Sequence, residues 1–377
     1  MLRSTVGGLI ALMASGCTER DSDLGGSRSF ERSIALEDVA ETSANVSLGD
    51  LDGDGHLDVV LVKGRHWPLL DLVLMGDGAG GFEPARPVGD TPDRSYSGVL
   101  VDLDGDGDLD LVVSNDDPDP KVVHLNVGDG HFEVGSTFGL PDWSTRHIGI
   151  HHLDRDSLPD VVLANRTGDD SGLNYVCFGA PQGRFQDPCY GFSRESATTI
   201  TAADVNGDGS LDLIVPHRDG GQGHIYLNDG SGGFEDRAPF GPPDAEIRAA
   251  KAADFDADGI LDLAVIDERR GPAVYRGQPG GTFATPVPLG ETGARPYAIE
   301  VADVDGNGRP DVIVGYVEAR PVVFFNDAPT GFVPVEFGDA EGVAYGFAVG
   351  DVDEDGFLDI GMARSGARNM MYFGAPG

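Results

Sequence analysis

One acidic nine-residue motif occurs seven times in the chain, at a nearly constant interval of about fifty residues. The first copy spans residues 50–58 and reads DLDGDGHLD. The other copies begin at Asp102, His152, Asp204, Asp254, Asp303 and Asp351. A fixed interval of this size is typical of repeat proteins, in which neighbouring units share a core. We therefore interpret nearly all of the 377 residues as one array rather than as two or three unrelated domains.

The second repeat shows how each unit divides into strands. Residues 97–103 alternate small and apolar side chains, and residues 111–113 form an apolar run beyond the acidic loop. Residues 121–125 and 131–134 are two further strand-like segments, bounded by turns rich in Asp, Asn, Gly and Pro. Four antiparallel strands in each of seven units predict an all-β fold, a seven-bladed β-propeller. A solenoid is the alternative, but it would need terminal caps, and the sequence shows none.

The two ends of the array complement each other. The seventh unit stops at Gly377, before its fourth strand, whereas residues 29–32 precede the first unit and match a fourth-strand start at residues 81–84. We therefore expect residues 29 to about 36 to add the missing outer strand to the last blade and close the ring. Closure would remove an open sheet edge. The propeller is predicted to span residues 29–377.

The motif has the oxygen-rich pattern of a calcium loop. Positions 1, 3, 5 and 9 are Asp or Asn in six copies, and Gly at position 6 permits a sharp turn. All-oxygen ligands favour Ca²⁺ over zinc or copper. An EF-hand shares this spacing, but it needs Glu at position 12 and flanking helices, whereas position 12 is apolar here. The predicted ligands in loops 50–58, 102–110 and 204–212 are Asp50, Asp52, Asp54, Asp58, Asp102, Asp104, Asp106, Asp110, Asp204, Asn206, Asp208 and Asp212. Those in loops 254–262, 303–311 and 351–359 are Asp254, Asp256, Asp258, Asp262, Asp303, Asp305, Asn307, Asp311, Asp351, Asp353, Asp355 and Asp359.

The third loop, residues 152–160, departs from this pattern. His152 stands at position 1, Ser157 at position 6 and Pro159 at position 8. The carboxylates that remain are Asp154, Asp156 and Asp160. We expect this loop to bind a cation weakly or not at all, which leaves about six structural Ca²⁺ sites. The competing interpretation is a set of solvated Asp/Gly turns that hold no ion.

The charge of the chain limits its partners. The formal net charge is −38, from 64 acidic and 26 basic residues. A charge of this sign repels nucleic acid phosphates and anionic lipid, so we expect no nucleic acid partner. Six divalent cations would bring the charge to −26, so much of the acidity is interpreted as metal ligand.

The N-terminus resembles an export signal. Arg3 precedes an apolar run at residues 6–14 that is too short to span a bilayer as a helix. The tetrapeptide at residues 14–17 resembles a bacterial lipoprotein signal with Cys17 lipidated, although Ala occupies the position where Leu is usual; ordinary cleavage near Gly16 is the alternative. Residues 1–17 are thus predicted to be a signal peptide and residues 18–28 a flexible tether. The predicted location is the outer membrane or cell surface, or otherwise the periplasm or the medium, with a lipid anchor at Cys17 as the only membrane contact.

Two further cysteines, Cys177 and Cys189, flank a turn and are predicted to lie on neighbouring strands. Export would permit a disulfide between them. Two buried free thiols are the alternative, and the sequence leaves both open.

The repeats resemble the FG-GAP/VCBS family. A Gly–Phe turn follows the acidic loop, as at residues 80–82 and 232–234, and the letters FGAP occur at residues 178–181 and 373–376. The resemblance covers about residues 29–377. It implies a seven-bladed propeller with Ca²⁺ in the loops between the first and second strands, in a fold class that includes the integrin α-subunit headpiece and several lectins. It does not imply one function.

Basic and aromatic residues are predicted to gather on the face opposite the calcium loops. The loops between strands two and three and those that lead into strand one share that face. A cationic mouth lined by aromatic rings suits an anionic or sugar-like ligand. The competing interpretation is that Arg and Tyr line the rim of any propeller, and Lys251 and Glu300 are expected to form an ion pair. The candidate ligand-binding residues are Arg65, Tyr96, Arg146, His217, Arg248, Tyr297, Tyr345 and Arg364.

These observations favour a non-enzymatic binding or adhesion module for a glycan or an envelope or cell-surface protein. The alternative is a polysaccharide-degrading, lyase-like enzyme, for which His66, His147 or His217 could supply a base. No Ser/His/Asp signature, P-loop or zinc spacing is present. We therefore assign no catalytic residue.

Overall fold

The computed structural model describes residues 27–166, 172–290, 293–329 and 331–377. The predicted signal peptide, Cys17 and most of the predicted tether lie outside these residues. Every regular element within them is a β-strand. No helix in this part of the chain has the length and hydropathy that crossing a bilayer requires.

The strands follow the repeats in chain order. The first is β1 (Ser27–Ala35), and the first unit then contains β2 (Glu41–Gly49), β3 (Asp58–Lys63), β4 (Leu72–Leu74) and β5 (Arg86–Pro87). The second contains β6 (Ser95–Val101), β7 (Asp110–Asn115), β8 (Lys121–Asn126) and β9 (Phe132–Phe138). The third contains β10 (Thr145–His151), β11 (Asp160–Asn165), β12 (Asn174–Cys177), a small hairpin of β13 (Gly179–Ala180) and β14 (Arg184–Phe185), and β15 (Tyr190–Ser193). The fourth contains β16 (Thr201–Ala203), β17 (Asp212–Val215), β18 (Gly223–Leu227) and β19 (Asp236–Phe240).

The remaining units repeat this order. The fifth contains β20 (Ile247–Ala253), β21 (Asp262–Asp267), β22 (Gly271–Tyr275), a hairpin of β23 (Gly277–Gln278) and β24 (Thr282–Phe283), and β25 (Val287–Pro288). The sixth contains β26 (Pro296–Ala302), β27 (Asp311–Tyr316), β28 (Val322–Asn326) and β29 (Phe332–Glu336). The last contains β30 (Val343–Gly350), β31 (Asp359–Ala367) and β32 (Met370–Pro376). Five units form separate four-stranded antiparallel sheets, while the first and last join through pairing of β2 with β31.

The second strand of each unit is the most deeply buried. In β3, β7, β11, β21 and β27, all six residues are buried. Such a strand is covered on both faces, which explains its continuous Val/Ile/Leu composition. The side chains that cover it come from the neighbouring unit, as where Val112 and Val123 pack in one cluster with Ile148 and Val161. The shared clusters confirm the prediction of an all-β propeller, and the predicted number of seven blades rests on the seven motifs.

The predicted closure of the ring is confirmed. β1 pairs antiparallel with β32, from Ser27 opposite Pro376 to Ala35 opposite Met370. The last unit also packs on the first, in a cluster that contains Val46, Val59, Met371 and others. The closing strand begins at Ser27, so the last two residues of the predicted tether belong to the sheet. The side chain of Arg28 accounts for this difference, because it donates to Asp327 at 2.9 Å and also pairs with Asp305.

Two pairings proposed from sequence are present in the structure. Cys177 and Cys189 form a disulfide, which selects one of the two open alternatives. The Nζ atom of Lys251 lies 2.8 Å from Glu300 Oε2, as expected for an ion pair.

Candidate functional site

The acidic loops connect the first and second strands of their units and bring carboxylates together. In five of the described loops, one oxygen from each of three carboxylates lies within 4.8 Å of the others. The groups are Asp50/Asp52/Asp58, Asp102/Asp104/Asp110, Asp254/Asp256/Asp262, Asp303/Asp305/Asp311 and Asp351/Asp353/Asp355. Three hard oxygen donors at this separation fit a single divalent cation of the size and preference of Ca²⁺. Each group contains three of the four predicted ligands of its loop, namely positions 1, 3 and 9 in the first four groups and positions 1, 3 and 5 in the last.

The Asp at position 9 has a second role that the sequence did not show. Asp58 accepts hydrogen bonds from the backbone N–H of Leu51 and of Gly76, both at 2.8 Å, so it fastens the loop to the segment that follows the adjacent strand β4. In the degenerate third loop, Asp160 accepts the equivalent pair from Leu153 and Gly179, also at 2.8 Å. This carboxylate thus shapes the turn whether or not the loop has a calcium pattern. Each of its oxygens keeps a second lone pair for a cation.

The third and fourth loops are not among these five groups, and their polar positions differ from those of the other loops. At position 1, Asp50 accepts from the backbone of Gly53 at 2.7 Å, a bond that an imidazole in that orientation does not reproduce. His152 instead has its Nδ1 atom 3.2 Å from the carbonyl oxygen of Leu158. In the fourth loop, Asn206 donates its amide to Asp208 at 2.8 Å, so its amide group would have to turn before its oxygen faced a cation.

A separate cavity of about 150 Å³ lies at the centre of the ring, at the strand ends opposite the acidic loops. Six of the eight predicted ligand-binding residues line it, namely Arg65, Tyr96, Arg146, Arg248, Tyr297 and Tyr345. His66, His147, Arg166, Arg218, Lys251 and Glu300 also line it. The sequence-based alignment therefore located the face and six of the side chains that line the cavity.

Five of the six predicted ligand-binding residues that line the cavity share one backbone feature. Each stands where the pairing of the first and second strands shifts register, as where Ser95 pairs with Asn115 and Ser97 pairs with Ser114, with Tyr96 between them. The same shift flanks Arg146, Arg248, Tyr297 and Tyr345. A β-bulge leaves its extra residue out of the ladder and re-aims the side chain. The repeated bulge is thus the reason that these positions face the central cavity.

The structure does not bring the other two candidates to the cavity. Arg364 ends up within its own unit, with a side chain only 2% exposed, and its Nη1 atom donates to Asp339 at 2.6 Å. Lys63 occupies the equivalent position in the first unit and is likewise buried, paired with Glu41 at 2.7 Å. Both residues belong to second strands, which are covered on both faces. His217 is partly buried and does not line the cavity.

Most cations of the cavity are paired with carboxylates behind them. Arg146 lies 2.7 Å from Asp116, and Arg218 lies 2.7 Å from Glu268. Arg248 lies 3.2 Å from the same Glu268, and burial lowers the pKa of the Arg248 guanidinium. These pairs hold the arginines in place but reduce the positive charge that a ligand would meet.

Arg65 is the exception. It has no carboxylate partner among the residues that the structure describes. Its Nη1 atom donates to the Ser365 hydroxyl at 2.7 Å, its guanidinium lies over the Tyr345 ring with 3.9 Å to the ring centre, and its buried Nε–H has no acceptor. Its backbone is left-handed, with φ of 57°, which is uncommon for a residue with a side chain. The turn that imposes this conformation also presents Trp67, which is 68% exposed.

The aromatic rings of the cavity form a connected group. The hydroxyls of Tyr297 and Tyr345 are 2.8 Å apart, and Arg248 lies over the Tyr297 ring at 3.4 Å. His147 adds an imidazole whose buried Nδ1 has no described partner. Burial lowers the pKa of His147 to about 3, so its ring is neutral at pH 7. A base works best with a pKa near the working pH, so this imidazole is poorly matched to proton abstraction.

Comparison with known proteins agrees with this architecture. A family model described as FG-GAP-like repeat matches residues 50–113, 152–215, 204–265, 254–314 and 303–362. Integrin alpha-7 of Homo sapiens is 31% identical over 287 residues, which cover 67% of this chain and 24% of the integrin. Integrin alpha-4 of Xenopus laevis is 28% identical over 164 residues, which cover 34% of this chain and 16% of the integrin. The chain thus spans about a quarter or less of the length of these relatives.

Solved structures show the same fold at low sequence identity. Two crystal structures of BBS1N in complex with ARL6DN, soaked with mercury and with lead, superpose with TM-scores of 0.59 and 0.62, at 14% identity. They cover 92% and 94% of this chain and 97% and 98% of BBS1N. Sequence identity at this level supports a shared fold and nothing more. The matches of the family model, which together cover well over half of the sequence, show that this chain belongs to the FG-GAP-like repeat family and is an integrin-like β-propeller.

Proposed function

We propose that this protein is an exported, calcium-stabilised binding module that captures an anionic glycan, or an anionic segment of an envelope or cell-surface protein, at the central cavity. The observation that carries the proposal is Arg65. It is the lining arginine that has no carboxylate partner among the described residues, and its buried Nε–H lacks an acceptor. A ligand carboxylate or sulfate would accept a charge-assisted hydrogen bond from this guanidinium, whose charge no described carboxylate shares.

The surroundings of Arg65 favour a sugar-like anion over a bare ion. Trp67 is exposed beside it, and Tyr96 and Tyr345 lie below its guanidinium, at 6.0 and 3.9 Å from their ring centres. Exposed aromatic rings can stack on the apolar face of a sugar while an arginine holds its acidic group. Kinship with integrin alpha chains also supports a ligand-binding or adhesive role for the scaffold.

Calcium has a structural part in this proposal. The acidic loops lie at the strand ends opposite the cavity, so a bound cation would not touch the ligand. It would neutralise clustered carboxylates and fix the turn between the first two strands of each unit. Export, with lipidation at Cys17, would place the module where Ca²⁺ is abundant. The predicted signal peptide supports this location.

The test is a screen of acidic and neutral glycans and envelope extracts with the chain that lacks its predicted signal peptide. The decisive variant is Arg65→Ala, because Arg146 and Arg248 also pair with the largely buried carboxylates of Asp116 and Glu268, so their removal would disturb the fold as well as the cavity. Arg269→Ala is the matched control, since Arg269 is exposed and pairs with Glu246. Binding that is lost in Arg65→Ala and kept in Arg269→Ala supports the proposal. Binding that survives Arg65→Ala contradicts it.

A lyase is the second candidate, because His147 lines the cavity, but its lowered pKa is a poor match to proton abstraction. The same screen decides between the two functions. A lyase would shorten an acidic polysaccharide and release unsaturated fragments, which absorb in the ultraviolet. If fragments appear and His147→Gln abolishes them, the protein is an enzyme and the binding proposal is wrong.

A further inference from the structure

A second cavity, of about 240 Å³, lies between the outer strands of the first and second units, away from the central one. It exists because the fourth strand of the first unit is short. β5 contains two residues and pairs with β4 at two positions, whereas β9, its counterpart in the second unit, contains seven residues. After Pro87 the chain leaves the sheet edge and returns as the turn of residues 88–93. That turn forms one wall of the cavity, and β8 and β9 form the other.

The walls are largely apolar. Val88, Val113 and Val122 line the cavity and are buried, and Leu70, Pro120 and Val134 are its other apolar side chains. An apolar cavity of about 150 Å³ is enough to hold benzene. The present one therefore has room for a six-membered ring with a short substituent.

The polar groups of the cavity give it a negative charge. Asp71, Asp90 and Asp93 line it, and no lysine or arginine does. The neighbouring Arg94 is turned to Asp119, with Nη1 and Oδ2 2.9 Å apart. Burial raises the pKa of Asp71 to about 7, and burial together with the nearby charge of Asp119 raises the pKa of Asp93 to about 6. A cationic ligand would supply the missing charge.

One lining side chain also lacks a hydrogen-bond partner. The Nδ1 atom of His124 is buried and makes no hydrogen bond to any described residue. Burial lowers the pKa of His124 to about 4, so the ring is neutral at pH 7 and carries one acceptor nitrogen. Buried polar atoms normally have a partner, so this wall of the cavity carries a polar group whose hydrogen bonding is incomplete.

We propose that this cavity binds a small organic amine, with a six-membered ring against the valines and a protonated amino group between Asp71 and Asp93. The charge of the lining selects a cation, and the apolar walls select an organic one over a metal ion. The site is independent of the central cavity, which suits ligands of the opposite charge.

The test uses 2-phenylethylamine as the probe and 2-phenylethanol as its neutral counterpart, in calorimetric titrations of the full chain with Ca²⁺ at pH 8. Both carboxyls are then ionised while the amine keeps its proton. We expect the amine to bind at least about tenfold more tightly than the alcohol, since only the amine carries the charge that the carboxylates attract. Equal affinity for the two probes, or no binding of the amine, would overturn the proposal.

Two variants keep the shape of the cavity and remove its charge. Asp71→Asn and Asp93→Asn should each weaken amine binding by about tenfold or more and leave alcohol binding unchanged. Glu83→Gln removes the same charge from an exposed residue that does not line the cavity, and it should change neither. An amine affinity that is the same in the wild type and both Asp variants would show that the carboxylates do not hold the ligand. Glycan capture is measured separately, so failure here leaves the proposed function untouched.

Discussion

The guanidinium carbon of Arg65 lies 3.9 Å from the centre of the Tyr345 ring, although the two residues belong to the first and last units of the chain. Arg65 also donates to Ser365, which is in the same last unit. The candidate ligand-binding arginine is therefore held by groups that reach it only when the ring is closed. The strand that closes the ring, β1, thus affects both stability and the shape of the central cavity.

A substitution at Trp67 tests whether aromatic stacking beside the central cavity contributes to ligand binding. Trp67→Ala should weaken capture of a sugar-like anion by about twofold to twelvefold, because one stacked aromatic contact contributes about 0.5–1.5 kcal/mol. The unfolding midpoint should stay unchanged, since the side chain is 68% exposed. Leu140→Ala, a change at another exposed apolar residue, is the control and should keep full affinity. Equal loss in both variants in a binding titration would argue against a stacking role.

The calcium assignment can be tested by comparing the first loop, which has the full acidic motif, with the third loop, which does not. Asp52 and Asp154 stand at position 3 of the first and third loops, and each accepts a hydrogen bond from the backbone two residues on, at 3.1 and 2.8 Å. Asp52→Asn should lower the free energy of unfolding by about 1 kcal/mol in millimolar Ca²⁺ and by nothing in chelator. Asp154→Asn should have no calcium-dependent effect.

Thermal unfolding of the wild type and both variants, with Ca²⁺ and with chelator, measures these differences. A wild-type midpoint that does not move on chelation would contradict structural calcium altogether. An equal calcium-dependent loss in both variants would mean that the third loop binds the ion as well as the others do.

The repeat predicted much of this structure because it encodes local geometry. Gly and Asp at fixed positions specify the turn between two strands, and the apolar run after it specifies a buried strand. The match between residues 29–32 and the other fourth strands predicted the closing strand. The alignment six residues before the motif also selected Tyr96, Arg146 and Arg248, because the bulge recurs at that place in each of these units.

The features that the sequence missed depend on contacts between distant segments. The second role of Asp58 needs the backbone of Gly76, which reaches it only through the sheet. Arg364 was predicted to face the ligand by its spacing, but its strand is covered on both faces. The second cavity depends on the shortness of β5, which no motif marks.

The closing strand yields a prediction about stability. The Phe30 ring is 5% exposed and lies 5.3 Å from the Phe337 ring, measured between centres. Phe30→Ala should lower the free energy of unfolding by about 3–4 kcal/mol, because it leaves a cavity in the cluster shared by the last two units. Glu31→Ala, at the exposed neighbouring position, should cost less than about 0.5 kcal/mol. Denaturant unfolding measures both, and equal stability of the two variants would mean that β1 does not close the ring.

The raised pKa of Asp71 leads to a prediction about how the free energy of unfolding depends on pH. Its carboxyl accepts the Lys63 backbone N–H at 2.7 Å, and burial raises its pKa from 3.8 to about 7. Between these two values the folded chain holds a proton that the unfolded chain has released, so this group makes the free energy of unfolding fall as pH rises through that window. Asn mimics the protonated acid, so Asp71→Asn should match the wild type near pH 4 and be more stable at pH 8, by on the order of 1–3 kcal/mol.

Denaturant unfolding of both proteins at several pH values, in saturating Ca²⁺, measures this difference. The calcium sites titrate equally in both, so subtraction of the two curves isolates Asp71. Glu83→Gln controls for the loss of one negative charge at an exposed position, and its difference from the wild type should stay small throughout. If the Asp71→Asn difference were also flat between pH 4 and pH 8, the carboxyl would titrate alike in the folded and unfolded chains, and the cavity would not disfavour its charge.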